Sequence, residues 1–137
     1  MTNRSMPPGT IIPELAYPDV REAVDWLCRV FGFSERLRIG NHRAQLVLGD
    51  ASIIVTKRDG VSHTDATHAV MVCVEDANAH YERAMSSGAR ITNPPTDYAY
   101  GERQYSVEDP SGHRWIFSQT IANINPEDWG GTLIGES

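Results

Sequence analysis

Short runs of alternating apolar and polar residues make up most of this chain, broken twice by stretches where apolar residues return every three to four positions. Residues 11 to 17, IIPELAY, predict a strand that Pro18 and Asp19 end. A helix over 20–31 follows, with Val20, Val24, Leu27 and Phe31 as one apolar stripe joined by Ala23 and Val30. Asp19 is placed to cap its free amides, Glu22 completes a capping box, and Gly32 supplies the left-handed stop. Three short strands follow at 36–39, 43–48 and 51–56, the last two joined by a tight turn at Gly49-Asp50. Residues 57 to 67 are polar and aperiodic and read as a surface linker.

After the linker the order repeats. HAVMVCVE at 68–75 predicts a strand, and Asp76 opens a helix over 77–87 whose apolar side is Ala77, Tyr81, Ala84 and Met85, closed by Gly88. Strands at 89–92, 103–108 and 113–119 follow; a Pro-Pro loop through Tyr100-Gly101 and the turn DPSG separate them. Overlaying the halves sets Asp19 on Asp76, Gly32 near Gly88, and Gly40 through Val55 on Gly101 through Ile116. The chain therefore reads as an α+β duplication. An N-terminal arm (1–10) precedes one domain (11–119), built from a βαβββ module at 11–56, the linker, and a second module at 68–119. A tail (120–137) with Trp129 as its apolar anchor ends the chain. One helix covers only one face of a four-stranded sheet, so two such sheets are expected to close into a curved cup with a ligand cavity, within one chain or across a homodimer.

Composition narrows the function classes. With 137 residues, 40% apolar and 22% charged, the chain has room for one shared core, and no apolar run reaches the ~20 residues of a membrane helix. No membrane partner is expected. The first ten residues lack the apolar core of a secretory signal, so a cytoplasmic location is the expectation. A net charge of −6 with a single lysine, Lys57, and no basic cluster argues against nucleic acid as a partner. Cys28 and Cys73, without C-x-x-C spacing, read as reduced, buried thiols.

Four segments carry a further pattern: PDVREAVDWLCRVFGF, AQLVLGDASIIV, VEDANAHYERAMSSGA and YGERQYSVEDPSGHRWIFSQ. Together they resemble the vicinal oxygen chelate superfamily, and within it the glyoxalase/bleomycin resistance/dioxygenase group, over residues 11–119. The most diagnostic part is the second hairpin, with Gly101, Arg103, Asp109, Pro110, Gly112 and Trp115. The resemblance implies a small-molecule site and a choice among metal-dependent lyases, isomerases, dioxygenases, fosfomycin-modifying transferases and metal-free drug-sequestering proteins. It also implies four metal-ligand positions. These fall on Ile12, Ala69, Ile116 and Ile53 or Ile54, none of which can ligate an ion, so no metal or other cofactor is expected. Glu14 and His68 remain as weak metal candidates for a displaced site. The other histidines, His42, His63, His80 and His113, are scattered and read as solvent-facing or structural.

Alternation from Ile12 turns Ile12, Glu14 and Ala16 toward the cavity, and likewise Ala69, Met71 and Cys73, with Val70, Val72 and Val74 under the helix. In the last strand Arg114, Ile116 and Ser118 face inward, and Trp115 with Phe117 face the helix. The candidate ligand contacts are thus Glu14, Met71, Cys73, Tyr100, Arg103, Tyr105 and Arg114. Arg103 is expected to hold an anionic group or to pair with Glu14. Tyr98 and Tyr100 form a lip at the rim, and Trp26 lies off the main helical stripe. No catalytic residue is assigned, so enzymatic activity stays open: if present, it is of glyoxalase lyase or isomerase type or a dioxygenase. Three readings follow: metal-independent binding of a small organic molecule (an antibiotic or metabolite), a metal-dependent enzyme on a shifted site, and a ligand-free interaction module.

Overall fold

The computed structural model describes residues 3–59, 68–133 and 135. Each half of the chain folds as read, into a four-stranded sheet with one helix. The elements are β1 (Glu14–Tyr17), α1 (Val20–Phe31), β2 (Ser34–Ile39), β3 (Arg43–Leu48) and β4 (Ala51–Lys57), then β5 (Val70–Cys73), α2 (Ala77–Ser86), β6 (Arg90–Tyr98), β7 (Glu102–Glu108) and β8 (Arg114–Thr120). A short 3-10 helix, Pro126–Trp129, lies in the tail. The sheets have orders β1-β4-β3-β2 and β5-β8-β7-β6, with the first-named pair parallel in each and the rest antiparallel. Among the described residues no helix is long and apolar enough to cross a membrane. The chain divides into two compact units, Met1–Thr64 with Pro110–His113, and Asp65–Asp109 with Arg114–Ser137.

In the first unit Asp19 and Gly32 cap the helix as the sequence predicts, but among the described residues the Glu22 side chain does not return to the Asp19 amide, so the capping box is half formed. Asp19 accepts a hydrogen bond from the Glu22 amide at 3.1 Å, and Gly32 turns left-handed with φ 84°. Val20, Ala23, Val24, Leu27, Val30 and Phe31 are all buried, so α1 packs its whole stripe on the sheet. Against it lie Leu15 and Val55, which pair across β1 and β4, and Ala44, Leu46 and Ile53. Trp26 stays half-buried, edge-on to Phe31 with ring centroids 4.8 Å apart. Residues 11–12 do not join the first strand. Pro13 has no amide to donate and contributes only its carbonyl, which accepts from the Ile54 amide at 2.9 Å.

The second unit repeats this plan with a different filling. Asp76 caps α2 through the Ala79 amide at 3.0 Å. Its buried stripe is thinner, only Ala77 and Ala84, and Met85, predicted to be core, is 47% exposed. His80 takes that place: its ring stacks on Phe117 at 4.0 Å and bonds the Tyr105 hydroxyl. Large aromatic side chains on the sheet compensate for the small helix residues, with Tyr105, Trp115 and Phe117 fully buried. Trp115 Nε1 donates to the buried Asp109 carboxylate at 3.1 Å, tying the Asp-Pro-Ser-Gly turn to the core.

Two sequence expectations change here. The segment read as a Pro-Pro loop is strand: β6 runs to Tyr98, and its pairing with β7 shifts register between Asn93 and Thr96, where Pro94 and Pro95 sit. An edge strand with a bulge accommodates two residues that cannot donate to a ladder. The equal-length overlay of the halves also slips by one residue in the final strand. Leu15 pairs with Val55 where Val72 pairs with Phe117, so Val55 corresponds to Phe117, and Ile54 to Ile116. The linker beyond residue 59 and His63 lie outside the described residues.

Candidate functional site

Residues directly opposed across strands share a face of their sheet, so the register sorts every candidate side chain. In the second unit Val107 opposes Trp115 and Tyr105 opposes Phe117, which puts all four under α2. Met71 opposes Ile116, Cys73 opposes Ser118, and Gln104 and Ser118 pair with each other. These residues lie on the other face with Glu102, Ser106 and Arg114. That face is accessible, with Met71 55% exposed and Cys73 exposed rather than buried as expected. The first unit's Cys28 is half-buried.

Tyr105 is therefore not a ligand contact. It has no exposed surface, bonds His80 and packs against Tyr81 and Phe117. Burial holds its phenol far above the usual tyrosine range. Arg103 shares its phase and is directed away from the open face. Its Nε donates to Asp97 Oδ1 at 2.7 Å and an Nη to Oδ2 at 3.1 Å, a bidentate pair across β6 and β7 that holds the Asp97 carboxyl below its ordinary range. The Arg103–Glu14 pairing considered from the sequence is replaced by this one; Glu14 instead meets Arg43 at 3.4 Å on the first sheet.

The even positions of β7 carry an organised polar chain. The Tyr100 hydroxyl donates to Gln104 Oε1 at 3.1 Å, Gln104 Nε2 donates to Ser118 Oγ at 3.0 Å, and Ser118 donates to Glu102 Oε1 at 2.6 Å. Each donor is used once and in one direction, so the Gln104 amide orientation is fixed and the chain ends on a carboxylate. Among the described residues no hydrogen bond reaches the second Glu102 oxygen. Ser118 is 2% exposed at the foot of this chain, which makes its bonds dry.

Aromatic rings border the chain. Tyr98 and Tyr100 stack nearly parallel, with centroids 5.4 Å apart, and Trp129 of the tail meets Tyr100 edge-on at 5.6 Å. All three keep between 37% and 46% of their surface exposed, a large aromatic area left to solvent. The tail is held there through Gly101, whose carbonyl accepts from the amides of Ile121 at 2.8 Å and Ala122 at 3.2 Å. Gly101 has φ 87°, and a Cβ on it would lie 2.3 Å from the Ala122 carbonyl oxygen, so only glycine fits.

Sequence reasoning found Met71, Cys73, Tyr100 and Arg114 for this face but passed over Glu102, Gln104 and Trp129. The period-2 signal pointed to Glu102 and Gln104 once Ser118 was read as inward. The charge of Arg103 drew the reading to the wrong phase. No sequence signal joined Trp129 to Tyr100, a contact made through the tail's return over Gly101.

The first unit offers less. A shallow cleft of about 400 Å³ at the start of α1 is lined by Pro18, Asp19, Val20, Arg21, Asn41 and Lys57. Its charged groups are largely committed: Asp19 caps the helix, and Arg21 pairs with Glu35 at 2.7 Å. His113 is engaged too, 2.8 Å from the Ala16 carbonyl and edge-on to Tyr17. At the metal-ligand positions implied by the resemblance, Ile12, Ile54, Ala69 and Ile116 offer no lone pair. Among the described residues no three His, Cys, Asp or Glu side chains come together to hold an ion, and Glu14 and His68 are in no such group. This donor set does not fit the superfamily's usual metal.

Comparison with known proteins agrees with this architecture. The family model of the Glyoxalase/Bleomycin resistance protein/Dioxygenase superfamily matches residues 11–117. The chain belongs to this superfamily. Among solved structures, TioX from Micromonospora sp. ML1 is 38% identical with a TM-score of 0.70, covering 82% of this chain and 99% of that one. The fosfomycin resistance protein FosX from Listeria monocytogenes shares the fold at a TM-score of 0.70 and 14% identity, over 83% of this chain and 94% of its own. An uncharacterised protein of Mycobacterium tuberculosis is 24% identical over 136 residues, spanning 85% of this chain and 77% of the relative.

Proposed function

We propose that this superfamily member binds a planar small molecule that bears N–H donors or positive charge, an antibiotic or a metabolite, on the open face of its second unit, without the superfamily's usual metal. The observation that carries this reading is the exposed aromatic group Tyr98, Tyr100 and Trp129 beside a hydrogen-bond chain that ends on Glu102. Exposed, mutually packed aromatic rings offer a flat surface at low entropic cost, and a fixed polar group beside them orients what stacks there. A carboxylate with one unfilled oxygen selects a ligand bearing N–H donors or positive charge. Apolar side chains at the ligand positions support the metal-free part of the reading.

Fluorescence titration with a matched pair of probes tests it: 9-aminoacridine, which is planar, cationic and rich in N–H donors, and acridine-9-carboxylate, which has the same rings and the opposite charge. The aminoacridine is expected to bind, and the carboxylate to bind about tenfold more weakly or worse, a difference of one charge-assisted contact. Tyr100→Ala and Trp129→Ala should each weaken binding, and Glu102→Gln should shrink the preference between the probes. Unchanged binding in both aromatic variants would overturn the site. Stoichiometric Ni, Zn, Mn or Fe in protein purified without chelator would overturn the metal-free reading.

A further inference from the structure

The face of the first sheet that lies away from α1 corresponds by the repeat to the open face of the second, yet it is closed. The N-terminal arm lies across it. Arg36 Nη2 donates to the Arg4 carbonyl at 2.9 Å, Gln45 Nε2 to the Ser5 carbonyl at 2.8 Å, and Ser52 Oγ to the Pro8 carbonyl at 2.6 Å. Arg36 Nη1 also donates to Gln45 Oε1 at 2.6 Å, which fixes the Gln45 amide with its N–H groups toward the arm. Beneath the arm Gln45 and Ser52 are 5% and 2% exposed, and Pro7 is buried.

The chemistry of this contact is one-sided. Among the described residues every hydrogen bond between arm and sheet runs from a sheet side chain to an arm carbonyl, and no ladder forms. The arm's own amides turn inward: Asn3 takes the Ser5 amide on its side chain and the Met6 amide on its carbonyl. Three buried or ordered donors on a sheet face, each meeting a main-chain carbonyl of a proline-containing segment that turns at Arg4-Ser5, form a peptide-recognition surface. Of residues 3–10 only Pro7 is buried, so releasing the segment costs little core packing.

We propose that the arm is a tethered self-ligand: it straps shut a site, formed by Arg36, Gln45 and Ser52, for peptide segments that present main-chain carbonyls as this turn does. This goes beyond the aromatic site of the second unit and does not depend on it. While tethered, the arm excludes competitors because its effective concentration is high. Released, it exposes three donors to an occupant of the same chemistry.

The test uses a chain lacking residues 1–9 and a fluorescent peptide of residues 1–10, labelled at its C-terminal end and followed by anisotropy. Saturable binding to the shortened chain is expected, and binding to the intact chain about tenfold weaker or less, because the tethered arm competes. Combining Gln45→Ala and Ser52→Ala in the shortened chain should abolish binding. No binding to a shortened chain that melts cooperatively, or equal binding to both chains, would overturn the proposal. If the shortened chain does not fold, trypsin cleavage of the intact protein after Arg4 gives a second readout. Gln45→Ala with Ser52→Ala should speed that cleavage several-fold, and an unchanged rate would overturn the strap.

Discussion

The two sheet faces turned away from the helices share one ancestry of pattern and have opposite fates. On the first sheet, Gln45 and Ser52 are buried and bonded to the chain's own N-terminal arm. On the second, Met71 and Cys73 stand open beside Tyr98, Tyr100 and Trp129. The two chain termini make the difference. The arm crosses the first face and satisfies its donors, whereas the tail borders the second and adds an aromatic ring without covering it. Duplication supplies two equivalent scaffolds, and segments outside the repeat decide which of them remains available.

The contrast between the units is sharpest, and breaks most easily, on their helix sides. Tyr105 occupies the position that Ala44 holds in the first unit, since Ala44 opposes Val55 as Tyr105 opposes Phe117. Tyr105→Ala should cost about 3–5 kcal/mol, because the small stripe of α2 cannot collapse into the space. Urea denaturation would measure it, and a loss under about 1 kcal/mol would show that the two cores are interchangeable. Next in size is Gly101→Ala, expected to cost about 2 kcal/mol from left-handed strain plus the clash with Ala122. The same variant should change the emission of Trp129 as the tail lifts from Tyr100. Unaltered emission would mean the tail does not depend on Gly101.

Acid separates the units more gently. In the first, hydrogen bonds from Arg38 and Arg21 hold the Glu35 carboxyl down to about 2. A carboxylate depressed in the folded state stabilises fully above its unfolded pKa, about 4.5, and loses that contribution as pH falls from there toward 2. Wild type should therefore exceed Glu35→Gln in stability at neutral pH, and the gap should close across that window. In the second unit, the exposed Asp97 partner of Arg103 should leave no measurable step of this kind in Asp97→Asn. A pH-independent gap for Glu35→Gln would remove the ion pair from the account.

The smallest effect is chemical. Cys73 on the open face should react with Ellman's reagent quickly, and Cys28, half-buried with its thiol pKa pushed up by burial, slowly. Two equal phases would mean the second face is covered in solution.

Much of this molecule is legible in the chain. Asp19 and Asp76 announce both helices because a capping carboxylate acts within its own turn. The alternation in VMVC and RWIFSQ separates Val72, Trp115 and Phe117 from Met71, Ile116 and Ser118, because the pleat has a period of two. Within β7 the same rule held, but a charged Arg103 attracted a functional reading that its phase did not support. His80 takes the structural alternative left open for it while Met85 loses its expected core place, because hydrophobicity does not record that a histidine can stack on Phe117 and bond a buried phenol at once.

Sequence by itself determined the local and periodic features: element order, caps, the duplication, the faces of most strands, and apolar residues where the superfamily places metal ligands. These depend on neighbours in the chain or on a fixed period, so each is written within a few residues. Only tertiary structure decided that Tyr100 meets Trp129, that Ser118 links Gln104 to Glu102, and that Arg36, Gln45 and Ser52 hold the N-terminal arm. Each of those contacts joins segments brought together by a strand register or a terminal path. Such pairings are properties of the packed chain and have no counterpart in any single stretch of it.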